Sequence, residues 1–433
     1  MTRLSISTAI TMLALGVMTQ ASGLCDKDLK VSTQSDLDTI KSCKLFGGTI
    51  TIDSSPAGEL ALSGVEEITG GLLMSGNTAL RTFQAPDLAK VKGELRIVNH
   101  TVLGKLQLPK LVEARKLMLS VLPALEQIEF SAGLSQVDEA HIEDTHAPSV
   151  SGFKPEQLRS FTLISNNYLR QFDFSSVKDV MGSLHVASNG NGLDFQAKQL
   201  MSVQTGDFRH VAQLDLSALN RVTGDIMFHE NNFSQLQLDQ LESIKGSLTI
   251  ANNNQLTLTS FHHLGKVGGA FSVGNNTLLT AIDGFPSLAE VDGTVDIAGN
   301  LESYALPALE DVRGGMRLQT TSSKLACSDL EKKMKGEGKN VVKGETWSCG
   351  ASLAEEQLQP TLGQDSPAPA GGFNMVGAPG GGSSGSFSGA KGFANEKGKQ
   401  GAVGGEMTSL ALDLNPAMGW ALLATGSAVM FGL

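Results

Sequence analysis

Large amphipathic aromatics are almost missing from this 433-residue chain, which holds two tryptophans, Trp347 and Trp420, and two tyrosines, Tyr168 and Tyr304. The usual platform for stacking on sugars is therefore scarce, which favours a structural or protein-contact role over tight polysaccharide binding. Cysteine is equally sparse. The four, Cys25, Cys43, Cys327 and Cys349, contain no Cys-x-x-Cys and have no histidine at ligand spacing, so no zinc site is expected. Histidines add little: His262 and His263 are the only adjacent pair, and neighbours on an extended chain face opposite sides. His141 and His146 straddle Asp144 and read as exposed loop histidines rather than a metal site. No nucleophile elbow, phosphate loop or zinc-protease signature occurs. With 33 basic against 44 acidic residues the net charge is -11, so the lysines of 328–340 read as a solvated helix face and not as a nucleic-acid contact.

What the chain has is a period. GSLTIANNN, GAFSVGNNT and GTVDIAGN follow one another between Gly246 and Asn300, each reading Gly-x-apolar-x-apolar. The same glycine recurs at 48, 70, 93, 182, 224, 246, 269, 293 and 314, with gaps of 22, 23, 89, 42, 22, 23, 24 and 21. Dividing 89 into four and 42 into two makes twelve steps of about 22 residues, the signature of a solenoid. After each glycine, segments such as 247–252 and 225–230 alternate apolar and polar residues, which predicts a strand with one buried face. An L-x-x-V or L-x-x-I edge recurs half a coil away, at Leu88, Leu219, Leu241, Leu288 and Leu309, often opened by a proline as at Pro86, Pro109, Pro286 and Pro307. One coil cannot bury both edges, but a parallel stack can. The expectation is a mainly β chain, a parallel β-solenoid of 12 to 13 coils with a distorted middle between 114 and 181.

Seven residues after the glycine stand Asn77, Asn189, Asn231, Asn253, Asn276 and Asn300. An amide carries both a donor and an acceptor, so the repeat predicts a buried asparagine ladder along the turns. Three glycosylation sequons begin at Asn99, Asn232 and Asn275, six or eight residues after the glycine, where side chains should point outward.

The ends differ from the middle. Residues 1–23 carry Arg3, an apolar core from Ile10 to Met18, and small residues at Ala21 and Gly23, the pattern of a secretory signal peptide. Secretion permits disulfides, and two cysteine pairs bracketing the repeats fit Cys25–Cys43 and Cys327–Cys349 best among three pairings. They assign an N-terminal cap at 24–47, with Ser35 as a helix cap, the repeats at 48–326, and a C-terminal cap at 327–350. Residues 351–409 are rich in glycine, serine and proline and read as a stalk. The apolar 418–433 is short for a membrane span, and residues 410–433 fit the removable signal for a glycosylphosphatidylinositol (GPI) anchor. A retained tail anchor is the alternative.

Catalysis by a β-helix polysaccharide hydrolase or lyase would need carboxylates on neighbouring coils. One residue past the glycine stand Glu94, Ser183, Asp225, Ser247, Ala270 and Thr294, so no acidic pair recurs. Asp296 falls beside Ser272 and Thr249 and reads as part of a solvated strand face.

The assembly of signal peptide, cap cysteines, GxLxIxxN repeats with L-x-x-V, turn sequons, stalk and apolar tail resembles the fungal GPI-anchored cell-wall organisation proteins. The resemblance covers residues 1–433. It implies an ectodomain similar to the receptor L-domain, a right-handed leucine-rich β-solenoid, without catalytic residues, metal or cofactor. It further implies a role in wall integrity and morphogenesis, with wall glucan or wall glycoproteins as partners and a GPI lipid in the outer leaflet. The stalk departs from the family in being glycine-rich rather than serine/threonine-rich.

Overall fold

The computed structural model describes residues 23–336 and 340–359. All but the last residue of the expected signal peptide 1–23, most of the expected stalk 351–409 and the whole of the expected attachment signal 410–433 lie outside them. The described chain is a parallel β-solenoid of about 13 turns with coils of about 22 residues. One sheet of 23 strand segments runs through the described coils, and the expected distortion of the middle is local, as register irregularities between Ala114 and Lys116 and between Glu129 and Leu134. Among the described residues no helix is long and apolar enough to cross a membrane.

Each coil reaches this sheet by way of the L-x-x-V edge. In one coil the two-residue strand Arg221–Val222 ends that edge, the chain bends at Gly224, and Ile226–His229 continues in the same sheet. The bend needs glycine because coils touch there through their backbones. The amide of Gly93 donates to the Gly70 carbonyl at 2.9 Å, and a Cβ on Gly93 or Gly314 would lie 2.5 Å from the carbonyl oxygen of the glycine one coil earlier. In the middle coils Arg115, Asp138 and Arg159 occupy this corner and keep the amide ladder, with Asp138 N to Arg115 O at 2.9 Å and Arg159 N to Asp138 O at 2.6 Å. The strand Glu113–Leu122 runs through the corner, with a register irregularity between Ala114 and Lys116, and the amide ladder persists although the glycine signal is lost.

A third strand per coil, absent from the sequence reading, follows the turn. Examples are Gln171–Asp173, Asp194–Gln196 and Gln213–Asp215, paired in register, and Gln235–Gln237 against Leu258–Ser260. Their apolar residues close the core. In the middle coils that core is an aromatic spine: ring centroids of Phe161 and Phe174 lie 4.7 Å apart, Phe174 and Phe195 5.4 Å, and Phe208 and Phe228 5.5 Å.

Both caps add rungs of their own. Leu29–Val31 pairs with Ile50–Ile52, and Trp347–Gly350 pairs with Met316–Gln319. The bridges are Cys25–Cys43 and Cys327–Cys349, with Cα–Cα distances of 5.7 and 5.6 Å. The N-terminal helix Gln34–Asp38 starts after Thr33 rather than Ser35. Asp36 accepts bonds from the Thr33 amide at 2.8 Å and hydroxyl at 3.1 Å, satisfying the helix start two residues early.

Gly293 lies in the corner stack, where a Cβ would be 2.6 Å from the Gly269 carbonyl, whereas a Cβ on Gly192 meets nothing within 4 Å. Gly293→Ala should therefore cost about 2–4 kcal/mol in denaturant unfolding, and Gly192→Ala less than about 1 kcal/mol. Equal losses at the two sites would show that the close approach does not set the corner.

Candidate functional site

Two surfaces carry the polar residues singled out in the sequence: the turn edge and the outward face of the long sheet. On the turn edge, one residue per coil is left-handed in eleven coils: Ser54, Gly76, Asn99, Val121, Asp144, Ser165, Ser188, His210, Glu230, Asn252 and Asn275. That kink drives the next side chain inward. Asn77, Asn166, Asn189, Asn231, Asn253 and Asn276 are consequently all buried. Each asparagine reaches back one coil in the same way. Asn253 donates to the Phe228 carbonyl at 2.9 Å and accepts from the Asn231 amide at 3.0 Å, and Asn276 repeats this on Ile250 and Asn253, both at 2.9 Å.

Asn166 was missed because Arg159 stands where its anchor glycine would be; counting seven from that corner position, whatever residue fills it, finds Asn166. The same count finds Ser55, His100 and Thr145 inside the turn and the apolar Leu122 and Val211 where the ladder is interrupted. Asn300 must be removed from the ladder, since it is exposed. Its predecessor Gly299 has φ 159°, an extended rather than left-handed geometry, so the inward position passes to Leu301. There the Thr320 hydroxyl takes over, accepting from Leu301 N at 2.9 Å and donating to Leu301 O at 2.8 Å. The sequon asparagines Asn99, Asn232 and Asn275 are all exposed on this edge.

The outward face corrects the reading of Asp296 as solvated. Asp296 is 3% exposed and takes a two-pronged bond from Arg317 on the next rung, at 2.7 and 2.8 Å. Asp207 is 6% exposed, bonded to Arg209 Nε at 2.9 Å and His185 Nδ1 at 3.1 Å. Burial would raise the Asp207 carboxyl, but His185 and Arg209 together hold it below the usual range. His229, on the rung after Arg209, is lowered by burial and by the Arg209 guanidinium. Register separates the two aspartates: Asp207 faces Met227, then Thr249, Ser272 and Asp296. Glu290 does stand opposite Asp311, but Lys266 and Lys343 neutralise them at 2.9 and 2.8 Å.

The histidine candidates do not converge. His141 lies on a strand against Glu143 at 2.9 Å, while the His146 ring stacks on Tyr168 with centroids 3.7 Å apart. His262 and His263 sit on a turn and not on an extended strand, so both turn to Asp239: His262 Nδ1 to the carboxylate at 2.6 Å, His263 Nδ1 to the main-chain carbonyl at 2.5 Å. Among the described residues no three His, Cys, Asp or Glu side chains are placed to hold a metal.

No protein-family model and no solved structure matches the chain. It is 28% identical over 341 residues to the cell surface GPI-anchored protein of Arthroderma benhamiae, covering 79% of this chain and 85% of that one. The chain is a homologue of fungal cell-surface and cell-wall proteins. Protein ecm33 of Aspergillus fumigatus is 28% identical across 78% of this chain and 83% of its own length, and the cell wall protein ecm33 of Schizosaccharomyces pombe 26% across 80% and 82%. Each of these matches spans about four fifths of this chain, more than the stretch outside the repeats can supply, so the similarity runs through most of the coils.

Two outcomes follow for this solenoid. Asn253→Ala strands the Asn231 amide and the Phe228 carbonyl, which predicts a loss of about 2–5 kcal/mol, whereas Asn300→Ala should cost less than about 0.5 kcal/mol. Urea unfolding of both variants checks this, and similar midpoints would sink the ladder. Separately, His100 and His229 are both held below the ordinary histidine value of 6.5, chiefly by burial. The unfolded chain then binds more protons, so stability is whole above that value and declines as pH falls through it. Melting should be lower at about pH 5 than at about pH 7.5, with His100→Asn plus His229→Gln narrowing the gap.

Proposed function

We propose that the chain is a non-catalytic cell-surface protein, held by a GPI lipid at the outer leaflet and in the wall, that acts in fungal cell-wall organisation, integrity and morphogenesis. The observation that carries this reading is similarity over most of the coils to proteins named as GPI-anchored at the cell surface or as cell-wall proteins. The order of segments in the sequence supports it: a leader, a capped solenoid, a Gly/Ser/Pro stalk and a terminal apolar stretch. The pairing of Asp207, Asp296, Glu290 and Asp311 with cations fits a structural surface better than a hydrolytic one, which would keep one carboxylic acid protonated beside a free carboxylate. Wall glucan or other wall glycoproteins are the partners this reading implies.

Treating intact cells with a phospholipase that cleaves GPI anchors should release the full-length protein, and a truncation lacking residues 410–433 should be secreted freely. Recovery of a peptide containing Trp420 from the mature protein, with nothing released by the lipase, would falsify the anchor.

A further inference from the structure

The one described aromatic among the large exposed apolar side chains is Tyr168, at 55% exposure, and it stands on the same turn edge as the sequons. Its ring is not loose. His146, one coil earlier, lies parallel to it with centroids 3.7 Å apart and planes 17° from each other. Because consecutive coils stack along the axis, His146 covers the face of Tyr168 that looks toward its own coil. The opposite face looks toward the next coil, whose turn is Gly190-Asn191-Gly192. That turn carries one exposed side chain, Asn191, between two glycines, and the space beside Gly192 is open: a Cβ there would meet nothing within 4 Å. The equivalent turn positions in other coils carry side chains, as in Thr101-Val102 and Thr277-Leu278. The exposed aromatic face therefore lies on an edge where its neighbours in sequence and in the next turn, Asn167, Arg170, Asn191 and Gly192, are exposed as well.

We propose that Tyr168 and the Gly190–Gly192 turn form a sugar-binding shelf for a neutral β-linked gluco-configured glycan. In such a ring every hydroxyl is equatorial, so both ring faces are C–H surfaces that pack against an aromatic plane while the hydroxyls reach sideways. The rim amides of Asn167 and Asn191 offer donors and acceptors to those hydroxyls. Stacking against His146 holds the tyrosine in place before the ligand arrives, which lowers the ordering cost of binding. The sequons leave the shelf uncovered: Asn99 lies before it and Asn232 after it, and none falls between. The scarcity of aromatics in the sequence argued against sugar binding; one exposed ring, backed by a second and with open space beside Gly192, is enough for a weak single-sugar contact that repeated wall chains would multiply.

The shelf deepens the wall-surface reading and takes from it only the choice of glycan. The test is calorimetric titration of the intact chain with a β-1,3-linked gluco-oligosaccharide and a β-1,4-linked chito-oligosaccharide, with saturation-transfer NMR to see which ring the sugar touches. At least one oligosaccharide should bind. Tyr168→Ala should weaken it about tenfold and Gly192→Leu similarly, while Tyr168→Phe stays within about twofold, because the ring and not the hydroxyl makes the contact. Both positions are exposed, so the melting temperatures of all three variants should match the parent. No binding of either sugar, or binding that Tyr168→Ala and Gly192→Leu leave unchanged, overturns the shelf. A protein that phospholipase releases but that binds neither sugar would sink the shelf and leave the anchored surface reading intact.

Discussion

Main-chain hydrogen bonding from each coil to the next is the constraint on which this molecule depends. For amides and carbonyls of successive coils to meet, every coil must trace the same path, and every departure must be shared by its neighbours. That is why residue identities recur where the chain bends and relax where it runs straight. At the glycine corner the coils approach too closely for a Cβ. At the turn edge a left-handed residue swings the backbone out of pairing, and a buried asparagine from the next coil restores the lost partners. Unpaired buried backbone groups cost about 1–3 kcal/mol each, so an asparagine there is worth more than an apolar residue of its size.

The same stacking organises charge. Register places side chains of adjacent coils within reach, and opposite charges line up along one corner: Lys92 and Arg115 both bond Glu113, at 2.8 and 3.0 Å, and Arg115 goes on to Asp138 at 3.2 Å. The Glu113 side chain is fully buried between its cations, a position a carboxylate tolerates only when paired. On the outward face Asp207 and Asp296 are quenched by Arg209 and Arg317 in the same manner. These four carboxylates are therefore held ionised by their cations and form part of the stack's own bonding.

The fold was legible because a solenoid writes its geometry into a local repeat. Gly70, Gly93, Gly246 and Gly293 are needed for reasons confined to two neighbouring coils, and spacing alone reveals them. Reading weakened where one position can be satisfied in several ways. Asn166 hid behind Arg159, since a charged residue can hold that corner while keeping the same amide ladder. The strands such as Gln235–Gln237 were overlooked because three residues of glutamine and leucine carry little periodicity.

By itself, then, the sequence determined the repeat length, the parallel stacking, the two cap bridges and the class of relatives, all set by contacts between a coil and its immediate neighbour. Only the tertiary structure decided what depends on a single backbone angle or on two coils meeting at their surfaces. The extended Gly299 expels Asn300 from the ladder, a turn brings His262 and His263 to one aspartate, and His146 lies flat on Tyr168. None of these leaves a periodic trace, because each happens once, and a pattern in sequence can report only what is repeated.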